Sequence, residues 1–200
     1  EDEYRSSCLR LYQYQPVQSG ADARDCRKGS ASVNYGAIKL CDIANGEGVR
    51  VSLFVSGCRR HCKGCFNEDT WDFNYGKLFT DTEMCKILQQ LGKPYISGLS
   101  ILGGEPFEDE NFVTVGLLLS AAKQQYPDKP IWVYTGFRYE DICGTPLLHC
   151  IDVLVDGPYI ESLRDPSLAF RGSSNQRIID VKASLQAGEV VPYQPKGMNQ

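Results

Sequence analysis

The sequence predicts an α/β fold in which a parallel sheet forms an open partial (β/α) barrel. Short apolar runs at residues 51–55, 98–102, 131–135 and 152–155 are predicted as strands. Segments with helical spacing separate them, and this alternation is typical of parallel sheets with right-handed crossovers. Four such strands, with weaker candidates at the start of the domain and near residues 177–181, are too few to close an eight-stranded barrel.

Three segments between the strands are predicted as helices from local signals. Residues 80–91 begin with the spacing of a capping box at Thr80 and continue with apolar side chains at helical intervals. Residues 111–126 place apolar side chains on one face. Residues 139–150 are predicted as a weak helix that Pro146 interrupts, because proline cannot donate a backbone hydrogen bond.

Length and composition favour a single reduced, cytoplasmic domain. The 200 residues suffice for one domain with a sizeable core. The net charge of −4 argues against electrostatic binding to nucleic acid. The chain shows no apolar leader, and its longest apolar runs are too short to cross a bilayer, so no membrane partner is expected. Nine cysteines without a leader therefore indicate thiols, not disulfides.

Residues 1–32 differ in composition from the rest of the chain. They mix charges, glutamines and small residues without a period, as extensions and linkers do. The domain prediction is therefore an N-terminal extension at 1–32 and one domain at 33–200. We expect Val33 to mark the native start, with upstream sequence before it; a genuine adaptor arm is the alternative.

The densest chemical signal is a run of three cysteines directly after the first predicted strand. Cys58, Cys62 and Cys65 have the spacing C-x3-C-x2-C, so three thiols are able to converge on one metal centre. The basic residues between them are expected to lower the thiol pKa values and favour thiolates. Three interpretations stay open on spacing alone: unrelated buried thiols, a structural zinc site with His61 as fourth ligand, and an iron–sulfur cluster with one open iron.

A second signal is the turn Gly103-Gly104-Glu105 after the second strand. Glycines lack the Cβ atoms that would block a ligand, and the carboxylate of Glu105 strengthens hydrogen bonds near a positive group. An ordinary strand-to-helix turn is the alternative. Thr135 and Asp156 follow the next two strands. Because ligands gather at the carboxyl ends of such strands, we expect these features and the cysteines on one face.

The cysteine spacing after a strand resembles the signature of the radical S-adenosylmethionine enzymes. Within them, the sequence is most similar to the activating proteins of anaerobic ribonucleotide reductases, which generate glycyl radicals. The stretches that carry this resemblance are, in chain order, residues 42–50, 53–58, 103–106, 131–136, 153–157, 165–168 and 171–176. The last two stretches are not general features of radical enzymes.

The resemblance implies a fold of the radical S-adenosylmethionine type and a [4Fe–4S] cluster with Cys58, Cys62 and Cys65 as its ligands. The open iron would chelate the amino and carboxylate groups of S-adenosylmethionine. One electron, from a donor such as flavodoxin, would release methionine and a 5′-deoxyadenosyl radical. That radical would take a hydrogen atom from a glycine of the reductase large subunit.

The resemblance also implies a set of cofactor-binding residues. They are Gly64, Cys65, Phe66, Gly103, Gly104, Glu105, Thr135 and Asp156. The glycine turn would receive the methionyl ammonium, and Phe66 would contact the nucleoside. Thr135 and Asp156 align with residues that hold a monovalent cation in a related activase.

Residues 165–176 are expected to dock the reductase, with Arg171 and Asn175 as contact residues. Two other classes stay open. One is a different radical enzyme, either another glycyl-radical activase or an enzyme like 7-carboxy-7-deazaguanine synthase. The other is a non-enzymatic zinc or iron–sulfur module. The lack of further ferredoxin-like cysteine sets argues against another activase, and residues 171–176 argue against both radical enzymes.

Overall fold

The computed structural model describes residues 33–195, and within them seven strands form one sheet. The strands are β1 (Asn34–Asp42), β2 (Arg50–Val55), β3 (Lys77–Leu78), β4 (Gly98–Gly103), β5 (Ile131–Tyr134), β6 (Val153–Asp156) and β7 (Arg177–Asp180). The α-helices are α1 (Asp81–Leu91), α2 (Asp109–Gln125), α3 (Tyr139–Ile142) and α4 (Val181–Ala187). The predicted extension at residues 1–32 lies outside the described residues.

The sheet is mixed, with a parallel centre. Its order is β3-β1-β2-β4-β5-β6-β7, and the pairs β2–β4, β4–β5 and β5–β6 are parallel. The four predicted strands form this centre, side by side in the order in which they occur in the chain. Leu53 lies opposite Ile101, which lies opposite Val133, so one apolar row crosses three strands. The carboxyl ends of β2, β4, β5 and β6 therefore meet at one edge of the sheet.

The flanking strands are antiparallel, which the prediction of a parallel sheet did not include. β1 pairs antiparallel with β2 and β3, and β7 pairs antiparallel with β6. Only residues 43–49 join β1 to β2, which is too short for the crossover that a parallel pair needs. Residues 157–176 join β6 to β7 without an α-helix. The result is an open mixed α/β sheet.

Helices α1 and α2 begin and end close to the predicted positions, whereas α4 was not predicted. The capping box at Thr80 is present: the Thr82 amide donates to Thr80 Oγ1 at 3.2 Å, and the Thr80 amide donates to Glu83 Oε2 at 3.0 Å. The weak helix predicted at 139–150 divides into α3 and a 3₁₀ helix, Pro146–Cys150, with proline in its first turn. Local signals were thus sufficient to locate these elements.

The two faces of the sheet are covered differently. One face carries the large apolar core beneath α1, α2 and α4, to which β5 contributes Ile131 and Val133. The other face has a small cluster around Trp132, which touches the rings of Phe170 and Tyr193. Among the helices in residues 33–195, none is long and apolar enough to cross a membrane.

Candidate active site

A cavity of about 340 Å³ opens where the central strands end. The predicted site residues that line it are Cys58, Cys62, Cys65, Phe66, Gly103, Gly104, Glu105 and Thr135. Gly64 and Asp156 lie nearby in the chain but are not part of its wall. The volume falls within the range of small-molecule sites. Parallel neighbours in the sheet thus bring the cysteine loop and the glycine turn to one cavity.

The cysteine loop is anchored from both sides by the backbone. Gly57 has φ of +95°, and its amide donates to the carbonyl of Thr70 at 2.8 Å. The Cys58 amide donates to the carbonyl of Trp71 at 3.1 Å. On the other side, the Glu105 amide donates to the Gly57 carbonyl at 2.8 Å. These bonds hold the first cysteine directly beside the glycine turn.

All three cysteines of the motif are free thiols. Cys58 is buried, and this burial raises the pKa of its thiol, which the nearby charge of Glu105 raises further. The expectation that basic residues lower the thiol pKa is therefore wrong for Cys58. Burial is the largest cause, and the side chains of Arg59 and Lys63 are paired with carboxylates, Arg59 with Glu108 at 2.6 Å. A bound metal would itself deprotonate the thiol.

His61 takes a position that does not serve the zinc interpretation. Its ring stacks on Trp71 with centroids 4.7 Å apart, and it does not line the cavity that Cys58, Cys62 and Cys65 share. It lines a neighbouring hollow instead, which includes Cys58 but neither of the other two cysteines. Among residues 33–195, no three His, Cys, Asp or Glu side chains stand close enough together to hold a single metal ion. An iron–sulfur cluster does not need that closeness, because each thiolate binds a different iron.

The glycine turn packs directly on the backbone of the cysteine loop. Gly103 has φ of +105°, a conformation that side chains rarely adopt. A Cβ on Gly104 would lie 2.5 Å from the Gly57 carbonyl oxygen. The side-chain amide of Asn111 donates to the carbonyls of Ser56 and Glu105, both at 2.9 Å. The two glycines are thus required for the contact between the two loops.

Glu105 is the buried charged group of the site. Its side chain is 1% exposed, and burial raises its pKa to about 7 although several donors oppose that shift. Oε1 accepts from Thr135 Oγ1 at 2.7 Å and from the Phe107 amide at 3.1 Å. Oε2 accepts from the Gly136 amide at 2.8 Å. These donors fix the orientation of the carboxylate at the cavity wall.

Thr135 and Asp156 have different hydrogen-bond partners in the structure. Thr135 bonds with Glu105, whereas Asp156 pairs through both carboxylate oxygens with the Arg177 guanidinium. Asp156 Oδ2 also accepts from the Tyr139 amide at 2.8 Å. The positive charge at this buried carboxylate comes from Arg177 in this structure. The cation role of the two residues stays a prediction.

The segment between β6 and β7 forms part of the cavity wall and is bonded to itself. Arg171 Nη1 donates to the Gln176 carbonyl and Asn175 Nδ2 donates to the Pro158 carbonyl, both at 2.8 Å. Arg171, Gly172 and Gln176 line the cavity. Phe66 touches this segment, with its ring 5.9 Å from that of Tyr159. The two residues expected to contact a partner therefore also hold their own loop together.

Sequence reasoning missed two residues of this site, Arg60 and Asn111. Arg60 lines the cavity beside Glu105, and nothing in the spacing distinguished it from Arg59. Asn111 did leave a signal. It takes the place of an apolar residue on the buried face of α2, in line with Val115 and Leu118. A polar residue there must find buried partners, and it finds both loops.

Comparison with known proteins gives a consistent assignment. Residues 44–179 match a family described as a 4Fe-4S single cluster domain. The chain is 42% identical over 146 residues to the anaerobic ribonucleoside-triphosphate reductase-activating protein of Enterobacteria phage T4, covering 73% of this chain and 93% of the relative. It is 39% identical over 148 residues to the protein of the same name from Escherichia coli strain K12, covering 72% and 96%.

A third relative of that name, from Haemophilus influenzae, is 41% identical over 150 residues, covering 73% of this chain and 97% of the relative. The matched region of the cluster family contains both the cysteine loop and the glycine turn. Identity of this extent over nearly the whole length of the relatives is sufficient to assign the family. The chain belongs to the family of anaerobic ribonucleoside-triphosphate reductase-activating proteins.

Proposed function

We propose that this protein activates an anaerobic ribonucleotide reductase by generating a glycyl radical on it. The observation that carries the proposal is the shared cavity, which is lined by both the three cysteines of the motif and the glycine turn. The names of the relatives supply the target. The reductase large subunit is thus the proposed partner, and the reaction is a reductive cleavage of S-adenosylmethionine.

The residues present fit a [4Fe–4S] cluster. Cys58, Cys62 and Cys65 are free and line the same cavity, which supplies three thiolate donors and leaves one iron for another ligand. The Asn67 amide lies 3.4 Å from Cys65 Sγ, a contact of the kind that tunes such clusters. When bound, the cluster and S-adenosylmethionine would supply one-electron chemistry and the hydrogen-abstracting radical.

The chain's own contribution is to bind, orient and shield. In this proposal, the glycine turn receives the methionyl ammonium at Glu105, whose buried carboxylate is already oriented by three donors. Phe66 contacts the nucleoside from the rim of the cavity, where its ring packs edge-to-face against the ring of Tyr159. Residues 157–176 exclude water from the cavity. We also propose that the sheet curves around this cavity, as in the predicted partial barrel.

The electron donor and the cellular location are part of the proposal as well. An electron donor is needed because the cleavage consumes an electron, and a flavodoxin-like protein is the proposed donor. A cytoplasmic location, which is also part of the proposal, would place donor and reductase together with this protein. The net charge of −4 supports the expectation that nucleic acid is not a partner.

The test uses the anaerobically reconstituted protein and a candidate reductase. Replacing Cys58, Cys62 or Cys65 by alanine is expected to remove the cluster's visible absorption and lower cofactor cleavage by about a hundredfold or more, since metal sites lose 10–100-fold even from indirect contacts. The glycyl radical signal in electron spin resonance is expected to vanish with it. Cys143→Ala is the matched control, because Cys143 is a free, exposed thiol outside the cavity.

Normal iron and sulfide content in the three cavity variants would refute the ligand assignment. A wild-type protein that cleaves S-adenosylmethionine but never produces the radical signal on the reductase would point to another radical enzyme. A protein that binds iron and sulfide without cleaving S-adenosylmethionine would be a non-enzymatic cluster module.

A further inference from the structure

We propose that Arg60 recognises the carboxylate of the amino-acid head group of S-adenosylmethionine, while Glu105 takes the ammonium. The inference rests on the proposed function and adds the residue that selects the carboxylate-bearing end of the ligand. It concerns a side chain within the cysteine motif that is itself not a metal ligand.

Arg60 is held inside the cavity by its neighbours. Its guanidinium carbon lies 4.0 Å from the centroid of the Phe137 ring, a cation–π contact. The side chain passes over Gly136, where a Cβ would collide with Arg60 Cδ. The absence of a side chain at Gly136 therefore creates the space in which Arg60 lies along the wall.

Arg60 has a hydrogen-bond donor without a partner. Its Nε atom is buried and makes no hydrogen bond, and it stands 3.7 Å from Glu105 Oε2, beyond hydrogen-bond distance. A buried donor left unpaired costs free energy, so a ligand that supplies an acceptor there gains affinity. A carboxylate is the natural acceptor, since arginine binds carboxylates through two parallel N–H groups.

Glu105 has the complementary capacity at the same point. Oε1 already accepts from two donors, whereas Oε2 accepts from the Gly136 amide alone. One lone pair of Oε2 is thus available beside Arg60. An α-amino acid carries its ammonium and its carboxylate on one carbon atom. A positive and a negative group 3.7 Å apart on the cavity wall match that head group, with each charge of the ligand facing its opposite.

The other basic residues of the loop are engaged elsewhere. Arg59 pairs with Glu108 and Glu110 and covers the Phe73 ring, and its side chain is 58% exposed. Lys63 pairs with Glu161 at 3.2 Å and is 89% exposed. Neither lines the cavity. Of the three basic side chains in the cysteine loop, Arg60 is the one in a position to meet a bound ligand.

The experiment compares two ligands on three proteins by anaerobic calorimetry of the reconstituted holoprotein. The ligands are S-adenosylmethionine and its decarboxylated analogue, and the proteins are wild type, Arg60→Met and the neighbouring control Arg59→Met. The ratio of the two dissociation constants measures selection for the carboxylate. Iron also contributes to that ratio, so the change in the ratio between proteins isolates the arginine.

Arg60→Met is expected to weaken the binding of S-adenosylmethionine and to leave the binding of the analogue unchanged. The selection ratio should therefore fall roughly 10- to 100-fold, which corresponds to the loss of one hydrogen bond to a charged group. Arg59→Met is expected to keep the wild-type ratio. Arg60→Lys keeps the charge without the planar fork and is expected to lie between them. If Arg60→Met does not load its cluster, Arg60→Lys and Arg60→Gln are judged by the same ratio.

An unchanged ratio in the Arg60 variants, with normal iron content, would overturn the inference and leave the proposed function intact. An equal loss in Arg59→Met would also overturn it, because the effect would then be one of loop charge. A wild-type holoprotein that binds neither ligand would instead contradict the proposed function.

Discussion

Glu105 shows how burial and hydrogen bonding compete at a single residue. Burial disfavours the charged carboxylate and dominates, so the pKa rises to about 7, while Thr135, Gly136 and Phe107 donate bonds that favour the charge. The carboxyl group is consequently near its titration point at neutral pH. A positively charged ligand would bind it better in the ionised form.

Affinity for S-adenosylmethionine is therefore expected to depend on pH through Glu105. Below a pKa of about 7 the folded protein holds an extra proton that ligand binding must release. Affinity should rise up to about tenfold per pH unit as the pH approaches 7 from below, and level off above it. Calorimetric titrations of the holoprotein from about pH 5.5 to about pH 8 measure this pH dependence of the affinity.

Glu105→Gln is the control, because it keeps the shape and removes the titration. We expect it to bind S-adenosylmethionine more weakly at pH 8 and with little dependence on pH. A slope in Glu105→Gln as steep as in the wild type would show that another group is responsible.

At the scale of elements, the cysteine loop and the glycine turn behave as one unit. Both follow neighbouring parallel strands, β2 and β4, and Asn111 from α2 binds a carbonyl in each. The sequence suggested that the glycines leave room for a ligand. The structure shows that Gly104 leaves room for the backbone of Gly57. A side chain at Gly104 therefore disturbs the cluster loop as well as ligand binding.

Gly104→Ala is expected to reduce both iron content and S-adenosylmethionine affinity. Its Cβ would meet the Gly57 carbonyl, and overpacking of this kind costs about 1–3 kcal/mol. Thermal unfolding and iron analysis measure the effect. Gly144→Ala is the matched control, since a Cβ there meets nothing within 4 Å. If Gly104→Ala retained full iron loading and stability while losing only ligand affinity, the packing argument would be wrong.

At the scale of the whole molecule, the helices and the cavity are segregated. The large core lies under α1, α2 and α4, whereas the opposite face carries only the small cluster around Trp132 and its loops. Residues 157–176 lie at the boundary and complete the cavity wall. If this segment also docks the reductase, as the sequence predicts, one segment would serve both docking and closure of the cavity.

The combined change Arg171→Ala and Asn175→Ala is expected to lower both cofactor cleavage and glycyl-radical yield. Both side chains bond to carbonyls of their own segment, and each lost bond costs about 1 kcal/mol. The sequence alone suggested that only the radical yield would fall. Cleavage assays without the reductase, beside radical quantification with it, measure the two effects.

Leu163→Asp separates docking from loop integrity. Leu163 is 41% exposed and does not line the cavity. If this rim docks the reductase, an aspartate there should spare cleavage and reduce the radical yield. Full radical yield in Leu163→Asp would refute docking at this point, and intact cleavage in the double variant would refute the structural role of its side chains.

The sequence by itself determined the local features of this protein. The four central strands, the capping box at Thr80 and the cysteine loop depend on residues close together in the chain, so periodicity and spacing were sufficient to find them. The short strand β3 left no such signal. The order of strands and helices also determined the parallel centre of the sheet. The edge at which the candidate site lies followed from that order, because parallel strands end at the same edge.

Only the tertiary structure decided which distant side chains became partners. Asn111 reaches Ser56 across 55 positions in the chain, Arg60 meets Glu105, and Asp156 pairs with Arg177. Such pairs leave no spacing signal, since they form only when neighbouring strands bring their loops together. The same is true of Gly104, whose neighbour is the backbone of another loop. The cysteine motif by itself indicates the chemistry of the site, whereas the order of neighbouring strands determines which charged side chains surround it.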